Sequence, residues 1–275
     1  MIYENLILDE ERALYGVTGA TVRACLFAGE ADGESALKET SDIRVLDCEF
    51  RLRYPMWHMT SSDVESCILT DTCRAALWYC DNVRINNTKL GGIKALRECG
   101  GVSLTDCEAV STEFGWFCED ISLTGCTVSG EYPFLKTNGL TLTEVTLNGK
   151  YSFQYVENAV VRNCTLNTKD AFWHAKNVQV YDSVVKGEYL AWYSENVTFV
   201  RCKIIGTQPL CYCKNLTLID CEMIDCDLSF EKSEVKATVT GEIESVKNPI
   251  SGSIVADGIG EIILDTPTEC EIKIR

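Results

Sequence analysis

The sequence predicts an all-β fold: a right-handed single-stranded parallel β-helix of about eleven coils of ~19 residues, with three short strands per coil. Three observations predict it. The consecutive stretches KNVQVYDSVVKGEYLAWYS, ENVTFVRCKIIGTQPLCYC and KNLTLIDCEMIDCDLSFEK are each 19 residues long and align without a gap. Within them, apolar and polar residues alternate at a local period of two, in segments rich in Thr and β-branched side chains. Asn, Asp or Gly marks the turns between stretches. A helical repeat needs about 30 residues or more per unit. The six-residue subrepeat of hexapeptide β-helices is absent, which favours the pectin-lyase-like type. The hand follows from the general rule for parallel crossovers.

The repeat register places each element. Units begin at Gly19, Asp42, Ser61, Asn82, Gly101, Asp120, Gly139, Asn158, Asn177, Asn196 and Asn215, and so cover residues 19–233. Position 4 is apolar in every unit, from Val22 to Leu218, and so is position 9, from Phe27 to Met223. Strands are expected at positions 1–5, 7–10 and 13–18, with bends near 6 and 11–12. Position 7 is usually Cys, and position 18 adds Cys80, Cys99, Cys118 and Cys213, so most of the 16 cysteines fall in two columns. Buried Cys acts as a compact hydrophobe. Stacked coils lie about 4.8 Å apart. Neighbouring thiols then point in parallel, and a ladder of reduced cysteines is expected rather than disulfides. Residues 1–18 would cap one end of this single domain, and 234–275 would close the other with irregular β structure, because open ends expose strand edges. Stacking of uncapped ends would give a homodimer.

The formal net charge of −16 argues against nucleic acid as a general partner and against anionic membranes. No run of about 18 apolar residues exists to span a membrane. The start, MIYENLILDEER, lacks the basic region of a secretory signal. A cytoplasmic protein with reduced thiols is expected. No glycine-rich phosphate loop is present, and the C-x-C of Cys211 and Cys213 lacks further ligands, so neither a cofactor nor a metal is expected.

Two histidines follow tryptophans, in PMWHM at 55–59 and AFWHA at 171–175. Both fall at position 17, six coils apart, roughly 29 Å at the strand spacing. They are echoes of the repeat and not halves of one site. His174 is expected to stack between Tyr155 and Tyr193. All five tryptophans fall at position 16, a column running from Lys38 to Phe230, with Glu231 ending the column at 17. Position 15 is mostly apolar and position 18 is also inward-looking, so a bend between them would turn the tryptophans outward. In the opposite phase they are core.

The first and third units are longer than 19 residues, and their extra residues lie in ADGESALKE and TDTCRAALWY. Insertions in solenoids map to loops on one face, often the binding face. That region also gathers cations in an acidic chain. Aromatic rings stack on sugars and Arg forks bind carboxylates, so an acidic oligosaccharide suits this face. Glu34, Lys38, Glu39, Arg53, Trp57, His58, Trp78 and Trp116 are the substrate-binding candidates. Arg74, Lys94, Arg97 and Glu98 are the catalytic candidates: a uronate lyase needs a cation on the substrate carboxylate and a base for the ring proton. A glycoside hydrolase fits less well. Glu39 and Glu98 stand about 14 Å apart by coil count, beyond the roughly 5–9.5 Å of paired glycosidase carboxylates, unless Glu34 closes the gap. Cys73, beside Arg74, is a candidate nucleophile if that cation lowers its pKa. The same cluster reads equally as an Arg/Glu ion-pair network on a solvated face.

ERALYG at 11–16, ADGESALKE at 31–39, RYPMWH at 53–58, CRAALWY at 73–79, IKALREC at 93–99, FGW at 114–116, GEYPF at 130–134, KYSFQYVEN at 150–158 and KDAFWH at 169–174 resemble the bacterial domain-of-unknown-function family 3737. The resemblance runs over essentially the whole chain. It implies a pectin-lyase-like β-helix and assigns no activity or catalytic residue. The aspartate clusters of pectate lyase calcium sites have no counterpart here. Two readings follow: a protein that binds, or acts on, an acidic oligosaccharide or sugar conjugate on the Trp/Arg face of coils one to five, and a non-enzymatic scaffold whose Trp/Tyr face binds another protein.

Overall fold

The computed structural model describes residues 1–29 and 34–275. The chain is a parallel β-solenoid of about 14 turns, with strands recurring ~19 residues apart and, among the described residues, one 3-10 turn at Asp71–Cys73 as the only helical element. Among the described residues, no helix is long and apolar enough to cross a membrane. The chain divides into two compact units, Met1–Gly139 and Leu140–Arg275.

In the first unit one ladder runs Ile2, Thr21, Arg44, Asp63, Arg84, Ser103, Ser122, each residue paired in parallel with the next. A second runs Ile7, Leu26, Glu49, Ile68, Lys89, Glu108, Thr127. The third arc of the coil forms strands at Met56–Trp57, Leu77–Trp78 and Leu96–Arg97. In the second unit the two ladders continue through Thr146, Thr165, Val184 and Lys203 and through Val160, Gln179 and Thr198. They lead into three long parallel strands, Glu234–Lys247, Ser251–Ile263 and Glu269–Ile274. The turns beyond the eleven counted by repeat come from the ends, where Ile2–Glu4 and the long strands keep the ladder but lose the sequence pattern.

The core follows the repeat. Positions 4 and 9 are buried throughout, and Phe rings stack coil on coil, with centroids 4.5 Å apart for Phe27–Phe50 and again for Phe153–Phe172. The bends are made by left-handed residues. Asn82, Asn158, Asn177, Asn196 and Asn215 at position 1 have φ between 50° and 56°. Asn and Asp enter this region at lower cost than other non-glycine residues, which explains their column. Position 17 is left-handed too, in His58, Tyr79, Glu98, Phe117, His174, Tyr193 and Tyr212. This is the bend that lets positions 15 and 18 both point inward while the tryptophans at 16 look out, half-buried. The last repeat carries one extra residue. Phe230 therefore falls in the core place of Leu210, fully buried and left-handed, and Glu231, whose carbonyl accepts from Tyr212 N–H, takes the place at 16. The assignment of Phe230 to the outer column and of Glu231 to position 17 is corrected accordingly.

All cysteines are free, and every one except Cys270 is buried. Their columns are more than packing. The Cys107 N–H donates to Cys126 Sγ of the next coil at 3.4 Å, and that thiol faces the carbonyls of Thr124 at 3.3 Å and Leu104 at 3.6 Å. Cys48 and Cys67 repeat the arrangement. Thr88 and Ser183 stand in the same column and accept from Cys67 and Cys164 N–H through their hydroxyls. In these coils the position carries a small side chain that accepts from a backbone N–H of the coil before; Val145 is the one apolar residue in the column.

Cys126→Val should therefore cost about 1–3 kcal/mol, the price of leaving a buried N–H unpaired, while Cys126→Ser keeps the acceptor and loses less than half as much. Urea midpoints followed by far-UV circular dichroism check this, and equal losses would mean that packing alone holds the column. Glu144, exposed at φ 56° where Asn163 and Asp182 stand in later coils, is left-handed without a side chain suited to it. Glu144→Asn should stabilise by about 0.5–1 kcal/mol, read from the same midpoints.

Candidate functional site

The outer column of the first unit carries two stacked runs. Lys38 Nζ lies 4.0 Å over the Trp57 ring, Trp57 stacks on Trp78 at 5.4 Å and 12°, and Arg97 lies 5.7 Å over Trp116 and 5.4 Å over Phe117. Beside it, His58 stacks on Tyr79 at 5.2 Å. In the second unit His174 stacks between Tyr155 at 4.9 Å and Tyr193 at 5.2 Å, as the repeat implied. Because coils repeat at roughly the thickness of a ring pair, each ring faces its neighbours along the solenoid. Lys38 covers one face of Trp57 and Trp78 covers the other. Trp57 therefore has no open face on which a sugar ring could stack.

The indole N–H groups divide into two sets. Trp116, Trp173 and Trp192 each donate to the carbonyl 16 residues on, in Tyr132, Tyr189 and Gln208, at 2.7 to 2.8 Å. The Nε1 atoms of Trp57 and Trp78 are buried without a well-aligned acceptor, and that of Trp78 lies near the Glu98 carboxylate, which it helps to hold ionised. Their rings lie nearly parallel to His58 and Tyr79, at 18° and 14°, whereas Trp116 and Trp192 stand edge-on to Phe117 and Tyr193, at 89° and 82°. Trp57 and Trp78 lie in the strands Met56–Trp57 and Leu77–Trp78, whereas Trp173 and Trp192 lie in turns. Tyr54 leans against both rings, 6.3 and 6.1 Å away.

The charged candidates mostly satisfy one another. Arg97 Nε meets Glu98 at 2.9 Å, and its Nη1 meets Glu113 at 3.5 Å; Lys94 meets the same Glu113 oxygen at 3.5 Å. Burial pushes the Glu98 carboxyl up, but Tyr79 and Arg97, with the nearby Trp78 N–H, hold it below its ordinary value. Glu34 pairs with Arg53 at 3.6 Å and is engaged there, away from Glu98. Glu39 is exposed and left-handed. Lys38 and the exposed Arg74 make no ion pair among the described residues. Residues 31–33 of the first insertion lie outside the described residues. The second insertion forms the Asp71–Cys73 turn.

Cys73 is not the expected nucleophile. It is fully buried, its thiol sits 3.1 Å from the Phe50 carbonyl, and burial pushes its pKa up to about 12. Arg74 does not offset that burial, because it is turned to solvent at φ 61°. Glu113, which ties Lys94 to Arg97, was not singled out from sequence. Its signal was available: opposite charges 19 residues apart stand side by side, as in Lys94–Glu113, Lys169–Glu188, Lys203–Glu222 and Asp182–Arg201.

Among solved structures, the chain is similar to PfbA, a surface adhesin of Streptococcus pneumoniae, at 8% identity and TM-score 0.41, covering 82% of this chain and 72% of that one. It is similar to the A-module of the mannuronan C-5 epimerase AlgE6 of Azotobacter vinelandii at 10% identity and TM-score 0.35, covering 94% and 90%. A variant of the periplasmic alginate epimerase AlgG matches at 12% identity and TM-score 0.37, covering 93% and 76%. Such distant likenesses between repetitive β structures assign no function. No curated protein matches the chain. The profile described as "Protein of unknown function (DUF3737)" matches residues 1–275, and the chain therefore belongs to that family.

Proposed function

We propose that this protein binds an acidic oligosaccharide or sugar conjugate on the Trp/Arg face of coils one to five, through edge contacts and cations and without ring stacking. The observation that carries this reading is the buried, unpartnered indole N–H of Trp57, in a column where Trp116, Trp173 and Trp192 donate to carbonyls. A buried donor without a partner costs about 1–3 kcal/mol. A carboxylate or hydroxyl oxygen that moves the Tyr54 ring aside recovers that cost. Lys38 and Arg74, the cations without carboxylate partners, supply the complementary charge. Arg53, Glu34, His58, Glu39 and Trp116 form the surround.

Binding is favoured over turnover. A lyase needs a base free to take a ring proton, and Lys94 and Arg97 are held by Glu113 and Glu98. A second reading, a scaffold that binds another protein, is favoured by the exposed aromatic residues Tyr79 and Phe117 of the first unit.

A thermal-shift series with uronate and neutral oligosaccharides separates the two. Uronates at about a hundred times their dissociation constant should raise the melting temperature of the wild type by several degrees. Trp57→Phe and Arg74→Ala should lose that rise, and neutral sugars should give none. If no sugar shifts any variant, the face is a structural stack and the scaffold reading takes its place.

A further inference from the structure

The second unit ends in the long parallel strands Glu234–Lys247 and Ser251–Ile263 and the shorter strand Glu269–Ile274. The shorter strand pairs with Ser251–Ala256 and goes no further. Among the described residues, no strand pairs with the far side of Gly258–Ile263. Two bonds fix the direction of its backbone groups. The Ala256 carbonyl accepts from Arg275 N–H on the side of Glu269–Ile274, and the Ile263 carbonyl accepts from Asn248 N–H on the side of Glu234–Lys247, both at 2.9 Å. Backbone groups alternate along a strand, so the N–H and C=O of Gly258, Gly260 and Ile262 face the unpaired side. An edge of this kind is a template for one more strand.

The side chains beside the edge are specific. Ile259 pairs with the buried Ile243, and Ile263 shares its face of the strand. Both are only half-buried. On the other face Gly258 pairs with Glu242, and Gly260 stands beside Glu244. Neither glycine puts a side chain between these carboxylates and the edge. A Cβ on Gly258 would lie 3.3 Å from Glu242 Cγ, and one on Gly260 would lie 3.4 Å from a Glu242 carboxylate oxygen and 2.7 Å from the Glu244 carbonyl. The Glu242 side chain therefore leans over the two glycines toward the edge. Ile262, 43% exposed, completes that face. Glu242, Glu244 and Glu261 are exposed and make no ion pair among the described residues.

We propose that this edge binds an extended segment of another protein by strand addition, a segment with Lys or Arg at every second residue and apolar residues between. Its main chain bonds to Gly258, Gly260 and Ile262. Its apolar side chains cover Ile259 and Ile263. Its basic side chains pass over Gly258 and Gly260 to Glu242 and Glu244. The Cα atoms of these partners stand about two strand spacings apart, roughly 9.6 Å, which extended lysine and glutamate side chains span together. Charge selects the occupant. A second copy of the chain would bring Glu242, Glu244 and Glu261 against their own equivalents, and like charges on neighbouring strands repel. An acidic segment is excluded for the same reason. This site does not rest on the tryptophan face.

Fluorescence anisotropy with the full chain and the labelled peptide Val-Lys-Val-Lys-Val-Lys-Val tests it. Two peptides serve as comparisons: one of the same composition with its lysines contiguous, and one with glutamate for lysine. The alternating peptide should bind saturably, the contiguous one about tenfold more weakly, and the glutamate one not at all. Glu242→Gln combined with Glu244→Gln should weaken binding about fivefold. Glu157→Gln combined with Glu195→Gln, an equal change of net charge at exposed carboxylates elsewhere in the second unit, should leave it unchanged. Ile262→Pro removes an N–H that the fold leaves unpaired, at an edge position where proline is tolerated. It should abolish binding, with its fold confirmed by circular dichroism, and Ile262→Val should retain binding. Equal weakening by the two glutamine pairs, or equal binding of both lysine peptides, would reduce the effect to general attraction by an acidic chain and overturn the site. So would undiminished binding by Ile262→Pro. Sedimentation that shows a wild-type dimer dissociated by Ile262→Pro would also overturn it, since a second copy would then hold the edge.

Discussion

Each coil hydrogen-bonds in parallel to the one before it, in a register that sets nearly every residue beside its equivalent 19 positions away, and the rest of the structure depends on that pairing. In a parallel ladder, side chains of equivalent residues project in the same direction about 4.8 Å apart. Like therefore meets like. Phe stacks on Phe in the core, Asn bonds to Asn along the turns at 2.8 to 3.1 Å, and thiols accept from the cysteine N–H groups of the preceding coil. The rule punishes like charges and rewards opposite ones. The acidic chain accordingly places Lys or Arg one coil from Asp or Glu at Lys94–Glu113, Lys169–Glu188 and Lys203–Glu222. Exposed pairs of this kind are individually weak, near 0–1 kcal/mol. Their work is to keep the stacked charges of one column from repelling.

The same pairing decides what the tryptophan column can do. A ring stacked at the coil spacing has both faces covered by its neighbours, so aromatic content alone does not make a sugar platform. Function, where this face has it, must come from edges and from donors that stacking leaves unsatisfied. Among the described residues the indole N–H of Trp57 is such a donor.

Much of the fold was legible because a 19-residue period, apolar columns at positions 4 and 9, and Asn or Gly punctuation have one common solution. The site was less legible. Arg97, Glu98 and Lys94 could be placed on neighbouring coils by counting, but counting does not show that Glu113 joins two of them. It also could not show that Cys73, beside an arginine in sequence, lies in the core with its thiol against the Phe50 carbonyl. The apparent phase conflict between positions 15 and 18 was resolved by backbone geometry at position 17. There, residues as unlike as His, Tyr, Glu and Phe all turn left-handed, and no side-chain preference announces that turn.

By itself the sequence determined the solenoid, its period, which columns are buried, the reduced state of the cysteines and the separation of the two histidines into stacking residues of different coils. These depend on residue spacing, and spacing maps directly onto a one-dimensional stack. The tertiary structure alone decided which indole N–H groups find a carbonyl, which cations are left without a carboxylate, and which strand edge is left unpaired. Each of these depends on the local path of one coil against the next: a strand in place of a turn, an extra residue, a glycine where a Cβ would collide. Such departures are a few ångströms in size, and a repeat pattern averages them away.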